Sequence, residues 1–307
     1  MRTQLKAFAE QVLGPCRTVG ERSWPHRGPC VLEIRDAEGT TWYAKAHQHL
    51  DNHLRELTAY QRWVPALQPH SPTLRAYDTD RRMLLFSAVP GSPLQGVDVD
   101  VHHRAGVLLR RLHAAEVLPP DPDYVVAKQA ELERWAARAD GLLDARELDF
   151  ARAELRSLAE LPAPALVPCH LDYSPRNWLV IGDRVSIIDF EWAKPEAWVN
   201  DLARLFFGPW RTRPDLREAF LSGYGRGLED GDVAFLLANH AFTTVWQLIW
   251  SHHHDNHSFA TSTRQLLHAL MRREVDSSDS VDSTGSVDNT GSVDNTGGTD
   301  GAAGTGA

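Results

Sequence analysis

Two short β-prone runs in the C-terminal part of the chain constrain the fold more than any other feature. They cover residues 177–181 and 185–189, and Gly182, Asp183 and Arg184 join them. Two runs of five residues around a Gly-containing turn are typical of a β-hairpin. The stretches on either side have helical periodicity. The sequence therefore predicts a fold in which a hairpin is inserted into a helical region.

The hairpin also predicts which polar side chains meet. A turn centred on Asp183 pairs residues whose numbers sum to 366, which places Asn177 opposite Asp189. Directly opposed residues lie about 4.5 to 5.5 Å apart, close enough for an amide oxygen and a carboxylate to bind one divalent cation. Asp172 precedes Asn177 by five residues and would lie beside this site as a proton acceptor. An Asx-rich turn followed by an ordinary hairpin is the alternative interpretation.

The same residues have the spacing of a phosphoryl-transfer site, with a catalytic Asp, an Asn five residues later and a second Asp on the following strand. The segment HLDYSPRN (170–177) fits H-x-D-x-x-x-x-N, and IIDFE (187–191) fits D-F-G with Glu191 in place of Gly. On these motifs the chain resembles the aminoglycoside phosphotransferase family, the small-molecule kinases that include choline and homoserine kinases. The resemblance covers residues 15–275. It implies an α+β, two-lobed protein-kinase-like fold with a small β-rich N-lobe and a larger, mainly helical C-lobe.

The resemblance also implies a set of site residues. Asp172 would orient and deprotonate the acceptor hydroxyl, and Asn177 and Asp189 would hold Mg²⁺. Lys45, in the strand WYAKA, would grip the phosphates of ATP or GTP, braced by Glu56 in the following helix.

The resemblance further implies a hinge that receives the nucleotide base. It covers residues 85–89, and Ser87 and Val89 are the hydrogen-bonding positions. His170 and Asp201 are expected to brace the site rather than to act as catalysts.

Three departures from the kinase template carry information. The segment 20–28, which should cover the phosphates, is a poor match to Gly-x-Gly-x-x-Gly. Ser174 stands two residues after Asp172, where many protein kinases have Lys, so one cationic phosphate ligand is missing. Between Asp189 and Asp201 the chain is too short for an activation loop and a peptide-docking platform. The acceptor is therefore expected to be a small molecule.

The periodicity predicts an N-lobe at 1–90, a C-lobe at 91–275 and a tail at 276–307, with Pro90-Gly91 at the lobe boundary. In the N-lobe the pattern predicts a hairpin at 30–35 and 41–46, a helix from 51 to 65 and a strand at 83–89. In the C-lobe it predicts helices at 101–118, 125–139, 147–161, 198–207 and 216–224, and at 232–273 with one break.

The composition limits the classes of partner that the chain is expected to bind. With 32 basic and 41 acidic residues the formal charge is -9, which disfavours nucleic acid and anionic membranes. The tail contains repeated SVDNTG-like hexamers with too few apolar residues to form a core, so an acidic disordered tail is expected. Without an 18-residue apolar run or a secretory signal, the chain is expected to be cytoplasmic.

Several interpretations stay open at this point. The leading function is phosphorylation of a hydroxyl-bearing antibiotic; the alternatives are a metabolite kinase and a catalytically weak, pseudokinase-like nucleotide-binding module. The histidine cluster at 252–257 could bind a metal, although a polar rim of the acceptor cleft is the favoured interpretation.

Overall fold

A computed structural model describes residues 1–23 and 28–273, so the predicted tail at 276–307 lies outside the described residues. The helices are α1 Arg2–Leu13, α2 Leu50–Arg62, α3 Val99–His113, α4 Tyr124–Ala136, α5 Ala145–Ser157, α6 Ala203–Phe206, α7 Pro214–Tyr224, α8 Asp230–His253 and α9 His257–Met271. The strands are β1 Cys16–Glu21, β2 Cys30–Asp36, β3 Thr41–Ala46, β4 Leu74–Asp78, β5 Met83–Ser87, β6 Ser92–Pro93, β7 Leu166–Cys169, β8 Trp178–Ile181, β9 Arg184–Ile187 and β10 Lys194–Ala197.

The N-terminal region is a five-stranded antiparallel sheet in the order β1-β2-β3-β5-β4. The predicted hairpin is present as β2 and β3, which pair from Cys30 with Ala46 to Arg35 with Thr41. One face of the sheet packs on α1, where Leu5 and Phe8 are buried. α1, β1 and β4 are additional to the predicted elements. β1 and β4 are the edge strands of the sheet and contain no fully buried residue, and α1 is stabilised by packing on the sheet.

Residues on β5 also join the sheet to the rest of the core. Leu84 and Phe86 belong to the large hydrophobic cluster that contains Leu57 and Tyr60 of α2 and continues into the C-terminal helices. The ring centroids of Tyr60 and Phe86 lie 4.4 Å apart. Because α2 packs here, its Glu56 is buried and turned toward the sheet, where Lys45 lies.

The C-terminal part is mainly helical, as predicted, and α8 runs through its core. This helix is apolar enough by length and composition to cross a membrane, but 72% of its most apolar window is buried inside the protein. It is a core helix, and the chain as described is α+β with a sheet at its N-terminal end. The predicted break in 232–273 falls between α8 and α9.

Two glycines allow α3 and α7 to cross at close range. A Cβ on Gly106 of α3 would lie 2.1 Å from the carbonyl oxygen of Phe220, and one on Gly223 of α7 would lie 1.9 Å from that of His103. No side chain larger than hydrogen fits at either position. The crossing brings the ends of the two helices together, so that His113 Nδ1 lies 2.9 Å from the hydroxyl of Tyr224.

The predicted register of the central hairpin is wrong by one residue. The observed pairs, from Trp178 with Ile187 to Ile181 with Arg184, have numbers that sum to 365. The turn is a two-residue loop in which Gly182 has a φ of 55°, a conformation that favours glycine. Asn177 and Asp189 are therefore not a cross-strand pair: Asn177 ends a 3-10 turn before β8, and Asp189 follows β9.

Candidate active site

A buried carboxylate positions the loop that carries Asp172. Asp201 accepts hydrogen bonds from the backbone amides of His170, at 2.8 Å, and Leu171, at 2.5 Å. Its Oδ2 also lies 2.9 Å from Nε2 of His113. Leu171 has a φ of 62°, which is unusual for a residue with a branched side chain. The Asp201 carboxylate holds this backbone in place, and the predicted bracing role of Asp201 agrees with these contacts.

His170 ties the loop to the segment that carries Asp189. Its Nδ1 accepts a hydrogen bond from the amide of Asp172 at 3.2 Å, which leaves Nε2–H to donate to the carbonyl of Ile188 at 3.0 Å. The amide of Ile188 donates to the carbonyl of Asn177 at 3.1 Å. Ile188 is thus bound from both sides. Asp189, the next residue, is thereby held against the Asp172 loop, although Asp189 and Asn177 are not strand partners.

The carboxylate of Asp172 is buried and meets three side chains. Arg176 Nη2 donates to its Oδ2 at 2.5 Å, and Arg204 Nε lies 3.3 Å from its Oδ1. Asn177 Nδ2 donates to Oδ2 at 3.0 Å and to the backbone carbonyl of Asp172 at 2.9 Å. Asp172 is 5% exposed, so these contacts fix the orientation of a carboxylate that water scarcely reaches.

The second half of the site is a buried lysine among carboxylates. Lys45 Nζ lies 2.7 Å from Asp189 Oδ1, 3.0 Å from Glu56 Oε2 and 3.2 Å from Glu191 Oε2. Lys45 is positioned by the pairing of β3, and Glu56 is positioned by the packing of α2. Asp189 and Glu191 are positioned by the loop that follows β9. Asp189 has a φ of 68°, a strained backbone conformation of the kind that clusters at functional sites.

The charges in this cluster shift one another's proton affinities. Burial alone would lower the pKa of Lys45, but Asp189, Glu56 and Glu191 outweigh it and hold that pKa well above its ordinary value. Burial would raise the pKa of Asp189, whereas the charge and hydrogen bond of Lys45 bring it below its ordinary value. Burial raises the pKa of Glu191, and Asp189 and Glu56 add to this against the pull of Lys45. The lysine is therefore a fixed positive charge.

His47, on the segment after β3, is a second partner of Glu56. Its Nε2 lies 2.7 Å from Glu56 Oε2, and the ring is 1% exposed. The Glu56 carboxylate is thereby held from two sides, by Lys45 and by His47. His47 is not among the predicted site residues, because its only sequence signal is its place two residues after Lys45, directly beyond the end of β3.

The predicted hinge, residues 85–89, covers the end of β5 and the two residues after it. The amide of Ser87 donates to the carbonyl of Thr73 at 2.9 Å, and that of Ala88 donates to Thr41 at 3.2 Å. Among the described residues the amide of Val89 has no such backbone partner, so this N–H is available to a ligand. Ser87 would contribute through its carbonyl oxygen.

The chemistry of the donor set fits a hard divalent cation. Asn177 turns its amide nitrogen to Asp172, which leaves its amide oxygen available to a cation. Asp189 uses Oδ1 to bind Lys45, and its side chain is 30% exposed, so Oδ2 can be reached. An amide oxygen and a carboxylate oxygen are ligands that suit Mg²⁺.

The histidine cluster at 252–257 lies outside the set formed by Asn177 and Asp189. Within residues 1–23 and 28–273, the side-chain groups that could converge on a metal are His113 with Cys169 and Asp201, and His47 with Glu56 and Glu191. The cluster at 252–257 is in neither group, and His254 Nδ1 lies 2.8 Å from the carbonyl of Trp250. The structure thus gives no support to a metal site there.

His240 of α8 lies near Arg204. Its ring stacks on Phe207 with centroids 3.8 Å apart, and in the described part of the chain neither ring nitrogen has a hydrogen-bond partner. Burial, with a smaller effect of Arg204, lowers the pKa of His240 to about 3. The imidazole is neutral at physiological pH.

Comparisons with known proteins bear on this site. The profile of a family described as "Phosphotransferase enzyme family" matches residues 21–239. A search of curated proteins finds no match.

Solved structures with the same fold include three antibiotic kinases. A thermostable mutant of aminoglycoside phosphotransferase APH(4)-Ia, in a ternary complex with AMP-PNP and hygromycin B, is 17% identical, with 88% of this chain and 99% of that chain covered and a TM-score of 0.68. Macrolide 2'-phosphotransferase MphH from Brachybacterium faecium is 18% identical, with 88% and 96% covered and a TM-score of 0.58. The GDP and kanamycin complex of APH(2")-IIia is 14% identical, with 89% and 98% covered and a TM-score of 0.61.

Proposed function

Because the chain belongs to the phosphotransferase enzyme family and is a small-molecule phosphotransferase, we propose that it transfers the γ-phosphoryl group of ATP or GTP to a hydroxyl of its acceptor. The observation that carries this proposal is the way Ile188 holds Asp189 against the loop of Asp172, with Lys45 in contact with Asp189. A proton-accepting carboxylate, a metal-binding carboxylate and a phosphate-binding cation then lie along one line of contacts.

In the proposed reaction the acceptor oxygen forms a bond to the γ-phosphorus. The bond between that phosphorus and the β–γ bridging oxygen breaks, and the nucleoside diphosphate leaves with the electron pair. The hydroxyl proton passes to Asp172 and then to water. Arg176 and Asn177 orient the Asp172 carboxylate for this step.

Lys45, held by Glu56, would bind the α- and β-phosphates, and Val89 and Ser87 would bind the base. Asn177 and Asp189 would hold Mg²⁺, which when bound neutralises charge on the β- and γ-phosphates. Glu56 and His47 keep Lys45 in place, since a buried ion pair with a second hydrogen-bonded partner fixes a flexible side chain.

The loop after the metal-binding position supports a small acceptor. It runs directly into β10, which pairs with β7 from Lys194 with Cys169 to Ala197 with Leu166. A 3-10 turn that contains Asp201 then follows. This segment is used for bracing the Asp172 loop, and it leaves no platform for a peptide.

Within the class of acceptors we propose a hydroxyl-bearing antibiotic. Its support is the fold shared with kinases whose structures contain hygromycin B or kanamycin, and with a macrolide kinase. A metabolite kinase is the second candidate, favoured by one observation: both oxygens of Asp172 already face arginines, a surrounding that disfavours acceptors with several ammonium groups.

The test is a screen of ATP and GTP consumption by the purified protein with hydroxyl-bearing compounds of both kinds. Polyammonium aminoglycosides, macrolides and uncharged or anionic hydroxy metabolites form the panel, and phosphate transfer is confirmed by mass spectrometry. We expect transfer to at least one compound, dependent on Asp172. Tight nucleotide binding with no transfer to any compound, and no hydrolysis by water, would favour the pseudokinase-like alternative.

A further inference from the structure

Phosphoryl transfer requires positive charge near the group in transit, and the residue expected to supply it is missing. Negative charge spreads over three equatorial oxygens in the transition state. A positioned cation there stabilises the transition state more than the ground state. In place of the lysine of many protein kinases the chain has Ser174, whose side chain is buried and lies 3.5 Å from the carbonyl of Asp172.

Arg176 brings a positive charge to the proposed proton acceptor. Its Nη2 donates to Asp172 Oδ2 at 2.5 Å. Arg176 also directly precedes Asn177, a proposed metal ligand, in the 3-10 turn Pro175–Asn177. Its guanidinium thus lies on the proposed proton acceptor, beside a residue that would hold the metal, and the transferring group must pass between those two.

The position of Arg176 also leaves it free to bind an anion. The residue lies in the 3-10 turn of Pro175–Asn177, directly after a proline that fixes the backbone. Its side chain is 53% exposed, and its guanidinium donates a hydrogen bond to Asp172 through Nη2. A guanidinium has five N–H donors, so most of them are available to phosphoryl oxygens.

We propose that Arg176 is a catalytic residue that binds the oxygens of the γ-phosphoryl group as it moves from the nucleoside diphosphate to the acceptor, in place of the lysine absent at position 174. This inference rests on the proposed function. Arg176 makes and breaks no bond itself: the acceptor oxygen gains the phosphorus, the diphosphate leaves with the electron pair of the broken bond, and the guanidinium keeps its protons throughout.

A purely structural role would make Arg176 equivalent to Arg204. Both arginines contact the Asp172 carboxylate, Arg204 with Nε at 3.3 Å from Oδ1 and a side chain that is 38% exposed. If Arg176 only anchors Asp172, removing either arginine should have a similar effect. If Arg176 binds the transferring group, removing it should weaken the binding of a transition-state analogue more than removing Arg204 does.

The experiment compares the affinity of Mg²⁺–ADP with that of Mg²⁺–ADP–aluminium fluoride, in which the fluoride complex stands in for the transferring phosphoryl group. Isothermal titration calorimetry is performed on the wild type, Arg176→Gln, Arg176→Lys, Arg204→Gln and the double variant Ser174→Lys/Arg176→Gln. Thermal melting of each variant shows that it is folded. The analogue needs no acceptor, so the identity of the acceptor does not matter.

We expect aluminium fluoride to tighten ADP binding in the wild type and Arg176→Gln to lose about 10² to 10³ of that gain, the size known for the removal of one donor to a transition-state charge. Arg176→Lys should keep part of the gain in ADP affinity. Ser174→Lys should restore at least about tenfold of that gain in the Arg176→Gln background. Arg204→Gln should lose clearly less of the gain than Arg176→Gln does. An undiminished gain in Arg176→Gln, or an equal loss in Arg204→Gln, would overturn the inference and leave the proposed function standing. A folded wild type that binds neither ADP nor the analogue would overturn both.

Discussion

Asp201 accepts hydrogen bonds from the backbone amides of His170 and Leu171, although it follows His170 by 31 residues in the chain. The same carboxylate lies 2.9 Å from His113, whose other ring nitrogen meets Tyr224 across the α3–α7 crossing. The crossing of α3 and α7 is in this way connected to the loop of Asp172 through His113 and Asp201.

The first prediction concerns this brace. Asp201→Asn offers one acceptor oxygen where the two amides need a carboxylate, and it leaves a buried donor without a partner. We expect the free energy of unfolding to fall by about 3 kcal/mol and turnover to fall with it. Urea denaturation measures the first effect. Asp183→Asn, in the exposed hairpin turn, is the control and should change stability by less than about 0.5 kcal/mol. Equal denaturation midpoints for the two variants would show that the brace is not needed.

The second prediction separates stability from nucleotide binding. Lys45→Met removes the cation among three buried or partly buried carboxylates and should cost about 3 to 5 kcal/mol of stability and most of the nucleotide affinity. Lys128→Met is the matched control, because Lys128 forms a buried ion pair with Glu196 at 2.6 Å outside the proposed nucleotide site. It should lose stability and keep its affinity for ATP. Equal loss of ATP affinity in both variants would contradict the proposed role of Lys45.

The third prediction concerns the metal. Asp189→Asn keeps the shape of the side chain but removes the charge that would bind Mg²⁺, so ATP binding should no longer respond to Mg²⁺. Glu191→Gln, two residues later and also next to Lys45, is not a proposed ligand and should keep the response. The readout is the ratio of ATP dissociation constants with Mg²⁺ and with chelator. A ratio in Asp189→Asn as large as that of the wild type would exclude Asp189 as a ligand.

The fourth prediction concerns pH. The pKa of His240 is about 3 in the folded protein, against 6.5 for an unperturbed histidine. Between these values the unfolded chain binds the additional proton, so protonation favours unfolding and stability falls as the pH falls below about 6.5.

His240→Phe keeps the stacking on Phe207 and removes the titrating group. Between pH 7 and 4.5 the wild type should therefore lose about 2 to 3 kcal/mol more than His240→Phe. Urea denaturation at the two pH values measures this, with His103→Phe as an exposed-histidine control. Parallel losses in the wild type and His240→Phe would show that His240 does not titrate as described.

What could be predicted from the sequence was local. The spacing of Asp172, Asn177 and Asp189 lies within one loop and one hairpin, and the motif indicated both the fold and the family. Lys45 and Glu56 are 11 residues apart on adjacent elements, and the structure brings them into contact. The exact register of the hairpin was not predictable, because a two-residue and a three-residue turn fit the same apolar runs equally well.

The remaining site residues are brought together by tertiary packing. Such residues have no characteristic spacing in the sequence by which they could be predicted. His113 reaches Asp201 across 88 residues through the crossing of α3 and α7. Arg204 comes to Asp172 from a short helix after β10, and nothing in the pattern DLARLF distinguishes this arginine from the other surface arginines. Arg176 was within the motif itself, but its significance emerges only when its guanidinium is seen on the Asp172 carboxylate.

The most direct test of the central claim, phosphoryl transfer at Asp172, is the turnover of Asp172→Asn with the acceptor identified in the screen. The substitution keeps the shape of the side chain and removes its capacity to accept a proton. We expect kcat to fall by about 10² to 10⁴ while the ATP dissociation constant changes little, because in the proposed mechanism Asp172 contacts the acceptor hydroxyl and not the nucleotide base. A kcat within about threefold of the wild type would contradict the account.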